Sequence, residues 1–590
     1  MNRRTFLKTA GFSATMLLAA GCRGLTGALP GGGRRPNVVL VMTDDQGYGD
    51  VGAMGNPWIR TPNLDALYAE SVRLKDYHVD PTCSPTRAAL MTGRYSSRTG
   101  VWHTIMGRSI MRADEVTMAD VFAASGYRTG IFGKWHLGDS FPYRPQDRGF
   151  DEVLIHGGGG VGQTPDYWGN DYFDDTYFHN GAPEKYEGYC TDVWFAGAMR
   201  FIEANRERPF FCYIPTNAPH GPYNVGEAYS DPYKGKPEVP NANFWGMVTN
   251  IDDNVGRLVK QLERLGLAEN TILIFTTDNG TAAGGRFARG SNLAAPGYNA
   301  GMRGVKGSQY DGGHRVPCFV RWPGGGVGGG RDVERLCAHI DMLPTLIELC
   351  GLKRPAVEFD GTSLAGLLHD PGRAWAERTL FVHSQRIEHP RMWRQSAVMT
   401  QQWRLIDGRE LYDIDADPGQ KKDVAADKPE VVASLREAYE RWWESICTRF
   451  DEYVPIYIGA EGEDPVRITC HDWHGPDVPW NQGMVENAAA ANGFWAIRVV
   501  REGTYRFTLR RWPQETGLAI DAAGPGKAIN PKAARLKIGD FDETRPVAAS
   551  DKGAVFEATL RADDTTMQTW FTEPDGTTRG AYYVHVKRLG

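Results

Sequence analysis

Four short segments rich in β-branched and aromatic residues, each leading into a polar cluster, constrain this chain more than any other feature. Asn37–Thr43 ends at Asp44-Asp45, and Thr271–Thr277 ends at Asp278-Asn279-Gly280. Pro209–Ile214 leads to Asn217-Ala-Pro-His220, and Tyr127–Phe132 leads to Lys134-Trp-His136. Such segments read as short buried strands. Helical patterns lie between them, at Thr61–Ser71, Met118–Ser125 and Asn250–Leu265. Strands alternating with helices imply a large, mostly parallel sheet with right-handed crossovers, an α/β fold. Ligands of such sheets bind outside the carboxyl ends of the strands. The sequence therefore predicts that these Asp, Asn, Lys and His residues meet at one edge.

Asp44, Asp45, Asp278 and Asn279 offer only oxygen donors. Hard oxygens suit calcium, and magnesium less well. Zinc is disfavoured, because no HxxxH or CxxC pair lies near the strand ends. One Asp-Asp pair alone would read as a solvated turn; a matching Asp-Asn after a second strand favours a metal site.

The stretch Pro81-Thr-Cys83-Ser-Pro85-Thr-Arg87-Ala-Ala-Leu-Met-Thr92-Gly93 is the most specific in the chain. Pro85 fits the first turn of a helix. Cys83 then lies just before a helix N-terminus, where free amides and the dipole favour an anion. Arg87, four residues on, reaches back toward the same end. A structural cysteine before a capped helix is the plainer alternative.

Cys-x-Pro-x-Arg followed by Ala-x-x-x-Thr-Gly resembles the signature of the type I sulfatases, in the alkaline phosphatase superfamily. The resemblance runs from Arg35 to about Lys422 and includes Asp44-Asp45, Gly133–Gly138, Asn217–His220, Asp278–Gly280, Lys306 and the stretch around Glu410. It implies an arylsulfatase-like fold: a central sheet flanked by helices, with a smaller α+β C-terminal subdomain. It also implies that a formylglycine-generating maturation enzyme oxidises Cys83 to Cα-formylglycine, whose hydrate is the nucleophile. One Ca2+ would be bound by Asp44, Asp45, Asp278 and Asn279, with modified Cys83 and a sulfate oxygen completing its shell. The implied catalytic set is Cys83, Arg87, Lys134, His136, His220 and Lys306. Arg87 would help to lower the pKa of the hydrate, and Asp278 would take its proton. Lys134, His220 and Lys306 would hold sulfate, His220 or Lys306 would protonate the leaving oxygen, and His136 would be the base that lets sulfate go. The family more often has Glu where this chain has Asp311, so Asp311 is left out of the set.

The 590 residues amount to about four domain-sized units. A net charge of −6, with 41% apolar and 23% charged residues, excludes a disordered chain and a multi-span membrane protein, and shows no basic excess for nucleic acid. Arg3-Arg4 followed by Phe-Leu-Lys8 resembles a twin-arginine (Tat) export signal. The apolar run that follows, Ala10–Ala20, is too short to span a bilayer. Leu18-Ala-Ala-Gly-Cys22 resembles a lipoprotein cleavage box, although Ala19 departs from the usual Leu. Cys22 would then be lipidated and tether the protein to a membrane. The expected organisation is an export segment (1–21), a linker (22–35), a catalytic domain (36–370), its C-terminal subdomain (371–452) and an accessory β-rich module (453–590). The expected location is the periplasm, or a bacterial membrane through the lipid.

The subdomain ends in an amphipathic helix, Pro429–Trp443, and alternation at Trp495–Val500, Gly503–Leu509 and Tyr582–Val586 reads as a β-sandwich-like module. Cys470-His471-Asp-Trp-His474 is a weak metal motif that reads better as structural or surface, as do His103, His156, His179 and His339. The aromatic stretch Asp166–His179 is either a sugar-stacking loop or a loop packed on itself. Hydrolysis of a sulfate ester, of a small molecule or more specifically a sulfated carbohydrate, is the function expected. A phosphodiesterase or phosphonate hydrolase on the same scaffold is the alternative, and a non-catalytic sugar-binding protein is a third.

Overall fold

The computed structural model describes residues 34–287 and 294–590. The twin arginine and Cys22 lie outside the described residues.

A ten-stranded sheet organises the catalytic part. Its first eight strands are β1 (Asn37–Thr43), β2 (Val72–His78), β3 (Arg128–Gly133), β4 (Glu152–Ile155), β5 (Thr176–His179), β6 (Ala182–Lys185), β7 (Phe210–Pro215) and β8 (Thr271–Thr277). Across the sheet the order is Arg331–Ala338, β2, Cys318–Arg321, β8, β1, β7, β3, β4, β5, β6. The run β8-β1-β7-β3-β4 is parallel throughout. Cys318–Arg321 is antiparallel to both its neighbours, which makes β2 parallel to β8. The carboxyl ends of β1, β2, β3, β7 and β8 therefore share one edge.

β1 is buried along its whole length because it is covered on both faces. Val38, Leu40 and Met42 enter one core with α2 (Cys83–Thr92) and α3 (Met118–Ala124), while Val39 and Val41 enter another with Leu64 and Leu67. Each such aliphatic side chain stabilises the fold by about 1.5–3 kcal/mol. α3 starts where Thr117 and Asp120 cap each other, Asp120 N–H donating to Thr117 Oγ1 (3.1 Å) and Thr117 N–H to Asp120 Oδ2 (2.9 Å). The helix expected from Asn250 begins two turns earlier and spans Ala242–Arg264. Asn241 caps it through Phe244 N–H (3.1 Å), and Phe244, Trp245 and Val248 close a small core with Ile59 and Tyr233.

Beyond the main sheet, strands Leu380–His383, Ser396–Met399, Trp403–Ile406 and Glu410–Asp413 form an antiparallel meander. Helix Pro429–Ile446 covers it with Leu435, Tyr439, Trp442 and Trp443. Residues from 456 onward form two sheets of five and four main strands around one core that includes Trp495, Ile497, Phe507, Leu536 and Val584. All but one of their pairings are antiparallel, the exception being Ile456–Ile458 with Phe494–Val499. Ile110 and Tyr143 belong to the same core, so this β module is packed into the larger unit. All eight cysteines among the described residues are free, and no described helix is long and apolar enough to cross a membrane.

Candidate active site

The shared strand edge assembles the residues singled out in the sequence. Asp44 and Asp45 follow β1, Lys134 and His136 follow β3, His220 follows β7, and Asp278 and Asn279 follow β8. Cys83 is the first residue of α2, which follows β2, and is itself buried. Thr82 makes no side-chain cap at the start of α2, where Pro85 has no N–H and Thr86 N–H donates to Thr82 O (3.3 Å).

Three buried carboxylates are matched by three cations. Lys134 Nζ lies 2.6 Å from Asp44 Oδ2, Arg87 Nη2 lies 2.7 Å from Asp278 Oδ2, and Lys306 Nζ lies 2.5 Å from Asp45 Oδ1. Arg87 also donates to Lys134 O (3.1 Å), which ties α2 to the end of β3. Asp45 N–H donates to Asp278 Oδ1 (3.0 Å), and Asn279 Nδ2 donates to Asp45 Oδ1 (3.0 Å), joining the ends of β1 and β8. Asp45 holds a left-handed backbone (φ 67°), as does His136 (φ 63°), a conformation that concentrates at functional sites. Glycine is required at Gly133, the last residue of β3 before Lys134 and His136, at φ 134°, because an added Cβ would lie 2.0 Å from Pro215 O.

The charges set the titration of the site. Burial and the neighbouring Asp278 push Asp44 well above the usual carboxylate range, with Lys134 opposing. Burial acts on Asp45 in the same direction, but Lys306 and His220 override it and hold that carboxyl below its ordinary value. Burial would depress Lys306, yet Asp45 raises it and keeps the ammonium charged. Burial brings His220 down to about 4, against Asp45, whose Oδ2 lies 3.8 Å from Nε2. Burial, reinforced by Lys134, holds His136 well below an ordinary histidine. His136 Nε2 donates to Thr104 O (2.8 Å), which leaves Nδ1 as a buried acceptor with no partner among the described residues.

These residues fit a hard cation. Asp44 Oδ1 and Asn279 Oδ1 are buried and accept no hydrogen bond among the described residues. An acceptor left so costs about 1–3 kcal/mol. Ligand atoms of Asp44, Asp278 and Cys83 lie within 4.8 Å of one another. Oxygen donors from Asp44, Asp45, Asp278 and Asn279 with the side chain of residue 83 form a cradle for a divalent ion.

The sulfatase family profile matches residues 36–352, the span that carries every one of these groups. The chain belongs to the sulfatase family. It is accordingly a sulfuric ester hydrolase. A second match, to the C-terminal part of N-sulphoglucosamine sulphohydrolase, covers residues 306–444 of this sulfatase. Arylsulfatase A of Homo sapiens is 30% identical over 521 residues, covering 77% of this chain and 96% of that protein. N-acetylgalactosamine-6-sulfatase of Mus musculus is 32% identical over 371 residues, covering 58% of this chain and 67% of that one. Among solved structures, Ps i-CgsB in complex with k-i-k-neocarrahexaose superposes with a TM-score of 0.62 at 27% identity, over 71% of this chain and 95% of that one. The phosphonate monoester hydrolase of Agrobacterium radiobacter shares the fold, with a TM-score of 0.51 at 21% identity, over 70% and 95%.

Several residues take places that sequence reasoning did not give them. Asp311 is held by Arg404 Nε (3.2 Å) within a buried network containing His78, His314 and Asp76, outside the cation cradle. The aromatic stretch 166–179 is tied internally by Asp175, which accepts from Asp171 N–H (2.9 Å) and Tyr172 N–H (2.9 Å); its rings pack on residues outside it, Tyr177 on Trp194 at 4.2 Å between centroids, and Tyr172 OH donates to His220 O (2.5 Å). It is a scaffold for His220. Gly159 abuts His136, where an added Cβ would lie 2.2 Å from Cε1. His103, read from sequence as a core or surface residue, lines a cleft beside Lys306. The Cys470–His474 motif is structural: His471 bonds Gln163 Oε1 (3.2 Å), and its ring lies 6.1 Å from that of His136. Its pairing of Cys, Asp and two His was the one sequence signal that the module carries special residues.

Proposed function

We propose that this sulfatase cleaves sulfate esters of carbohydrates, using a formylglycine made from Cys83 and one calcium ion held by Asp44, Asp45, Asp278 and Asn279. The observation that carries the reading is the place of Cys83, buried at the start of α2 beside Asp44 and Asp278. In that place the hydrated aldehyde would supply a nucleophilic hydroxyl, and the cation would polarise a sulfate oxygen.

The chain's own groups do the rest. Asp278, bonded to Arg87, would accept the proton released at residue 83. Lys134 and Lys306 balance carboxylates; a cation on those oxygens would free both ammonium groups to hold sulfate. His220 is neutral at neutral pH, so Lys306 carries the proton toward the leaving oxygen while His220 hydrogen-bonds sulfate. His136 Nδ1, unprotonated and without a partner, takes the proton whose loss lets sulfate depart.

Release of sulfate by protein produced with a formylglycine-generating enzyme and calcium tests this reading. Turnover of sulfated sugars and aryl sulfates is expected to exceed that of phosphodiesters and phosphonate monoesters by at least about tenfold, and the reverse order would replace it with the phosphonate reading. The Arg3-Arg4 and Cys22 motifs support export and a lipid tether. A membrane fraction lacking the protein, with no lipid on Cys22, would remove the tether.

A further inference from the structure

A cleft of about 1010 Å³ opens beside Lys306. Sites for whole small-molecule ligands span about 300–1,000 Å³, so one sulfate group fills a small part of it. Three parts of the chain line it: His103 and Met106 from the catalytic part, Arg386 and Arg394 from the loop between Leu380–His383 and Ser396–Met399, and Tyr453, His474 and Phe494 beyond the subdomain helix. The last three lie past residue 444, where the second family match ends.

Cationic side chains predominate in this cleft, Lys306, Arg386 and Arg394 against the single carboxylate Glu388. Arg394 bonds only neutral acceptors, Gln395 Oε1 (2.6 Å) and Ser384 O. Burial, Arg391 and Arg386 disfavour its charge, with Asp407 opposing them. Among the described residues, neither Arg386 nor Arg394 forms an ion pair with a carboxylate. One carboxylate, Glu388, also lines the cleft: its Oε1 accepts from Arg108 Nε (3.1 Å) and pairs with His474 Nδ1 (2.9 Å), and its Oε2 is buried without a hydrogen-bond partner among the described residues. His103 Nδ1 accepts from the N–H groups of Thr104 (2.7 Å) and Ile105 (3.1 Å). Its proton is thereby placed on Nε2, a donor with no hydrogen-bond partner among the described residues. Opposite, Tyr453 packs against His474 at 4.4 Å and Phe494 at 5.4 Å between centroids, and Arg108 stacks on Tyr453 at 4.4 Å. The cleft thus combines an aromatic cluster with two guanidinium groups that form no carboxylate ion pair among the described residues.

We propose that this cleft is a second-anion subsite, in which Arg386 and Arg394 bind a sulfate or carboxylate on the sugar beside the scissile ester while Tyr453 and Phe494 form an apolar wall for that sugar. The inference deepens the sulfate-ester reading and rests on it for the orientation of the substrate. The β module thus contributes to substrate choice, and the preferred substrate is a polyanionic oligosaccharide. Guanidinium groups suit such a ligand, because they pair with planar or tetrahedral oxyanions through two donors at once.

Three disaccharides sharing the same scissile sulfate test it: one with no further charge, one with a second sulfate and one with a carboxylate. The wild-type enzyme is expected to favour at least one dianionic substrate in kcat/KM by about tenfold or more, and R386A/R394A to bring that preference close to one. R386K/R394K should recover part of it, which a merely structural role would not do. A wild-type preference near one, or one untouched by R386A/R394A, overturns the subsite. The substrate that gains reveals whether sulfate or carboxylate is bound. If no disaccharide releases sulfate, the reading of the catalytic centre fails, and the affinity of C83A for the same sugars decides the cleft. Binding of a dianionic sugar weakened about tenfold by adding R386A/R394A sustains the subsite, and unchanged affinity refutes it.

Discussion

Lys134 Nζ lies 2.6 Å from Asp44 Oδ2, with both side chains fully buried. Removing one partner of a buried pair leaves an uncompensated charge and costs about 3–5 kcal/mol. Lys134→Met is therefore expected to lower stability by about that much in a chelator, and by less with calcium present, since the ion would take over the charge on Asp44. Denaturant unfolding with and without calcium checks this. An equal loss in both conditions would separate Asp44 from the metal site.

His136 presents a buried, unpartnered Nδ1, fixed by the bond from Nε2 to Thr104 O. His136→Ala is expected to reduce kcat by about 10²–10⁴-fold. Gly159→Ala drives a Cβ against the same ring and should lower kcat in the same direction, with the far-ultraviolet circular dichroism unchanged. Near-normal kcat in both variants would remove His136 from the reaction.

Burial pushes Asp50 up to about 7, although Gly47 N–H (2.9 Å) and Trp245 Nε1 (3.3 Å) donate to it. Its folded value is above its unfolded one, so the fold favours the protonated form. That contribution is complete below about pH 4 and is lost as pH rises through about 7. Relative to wild type, Asp50→Asn should gain roughly 2–4 kcal/mol on going from pH 4 to pH 8. Thermal unfolding across that range measures the gain, and a constant difference would contradict the assigned shift.

What the sequence revealed follows from the range of the interactions involved. β1 could be read because helices cover both its faces, so burial is written into seven consecutive residues. Asp44, Asp278, Lys134 and His220 could be read because each directly follows a strand or lies just beyond it, and the parallel sheet brings those ends together. The helix start at Ala242 was missed because Trp245 and Phe244 are buried by Ile59 and Tyr233, contacts that local periodicity does not encode. The composite cleft was missed for the same reason. His474 meets Glu388, and Glu388 meets Arg108, across separations of 86 and 280 residues. Only the tertiary fold makes them neighbours.

The proposed chemistry requires residue 83 to act as an aldehyde. Mass spectrometry of the peptide carrying Cys83, from active protein made with the maturation enzyme, tests it most directly. The expected result is a formylglycine mass at position 83, in an amount that tracks sulfate-releasing activity across preparations. Fully active protein carrying only the unmodified Cys83 thiol would contradict the account.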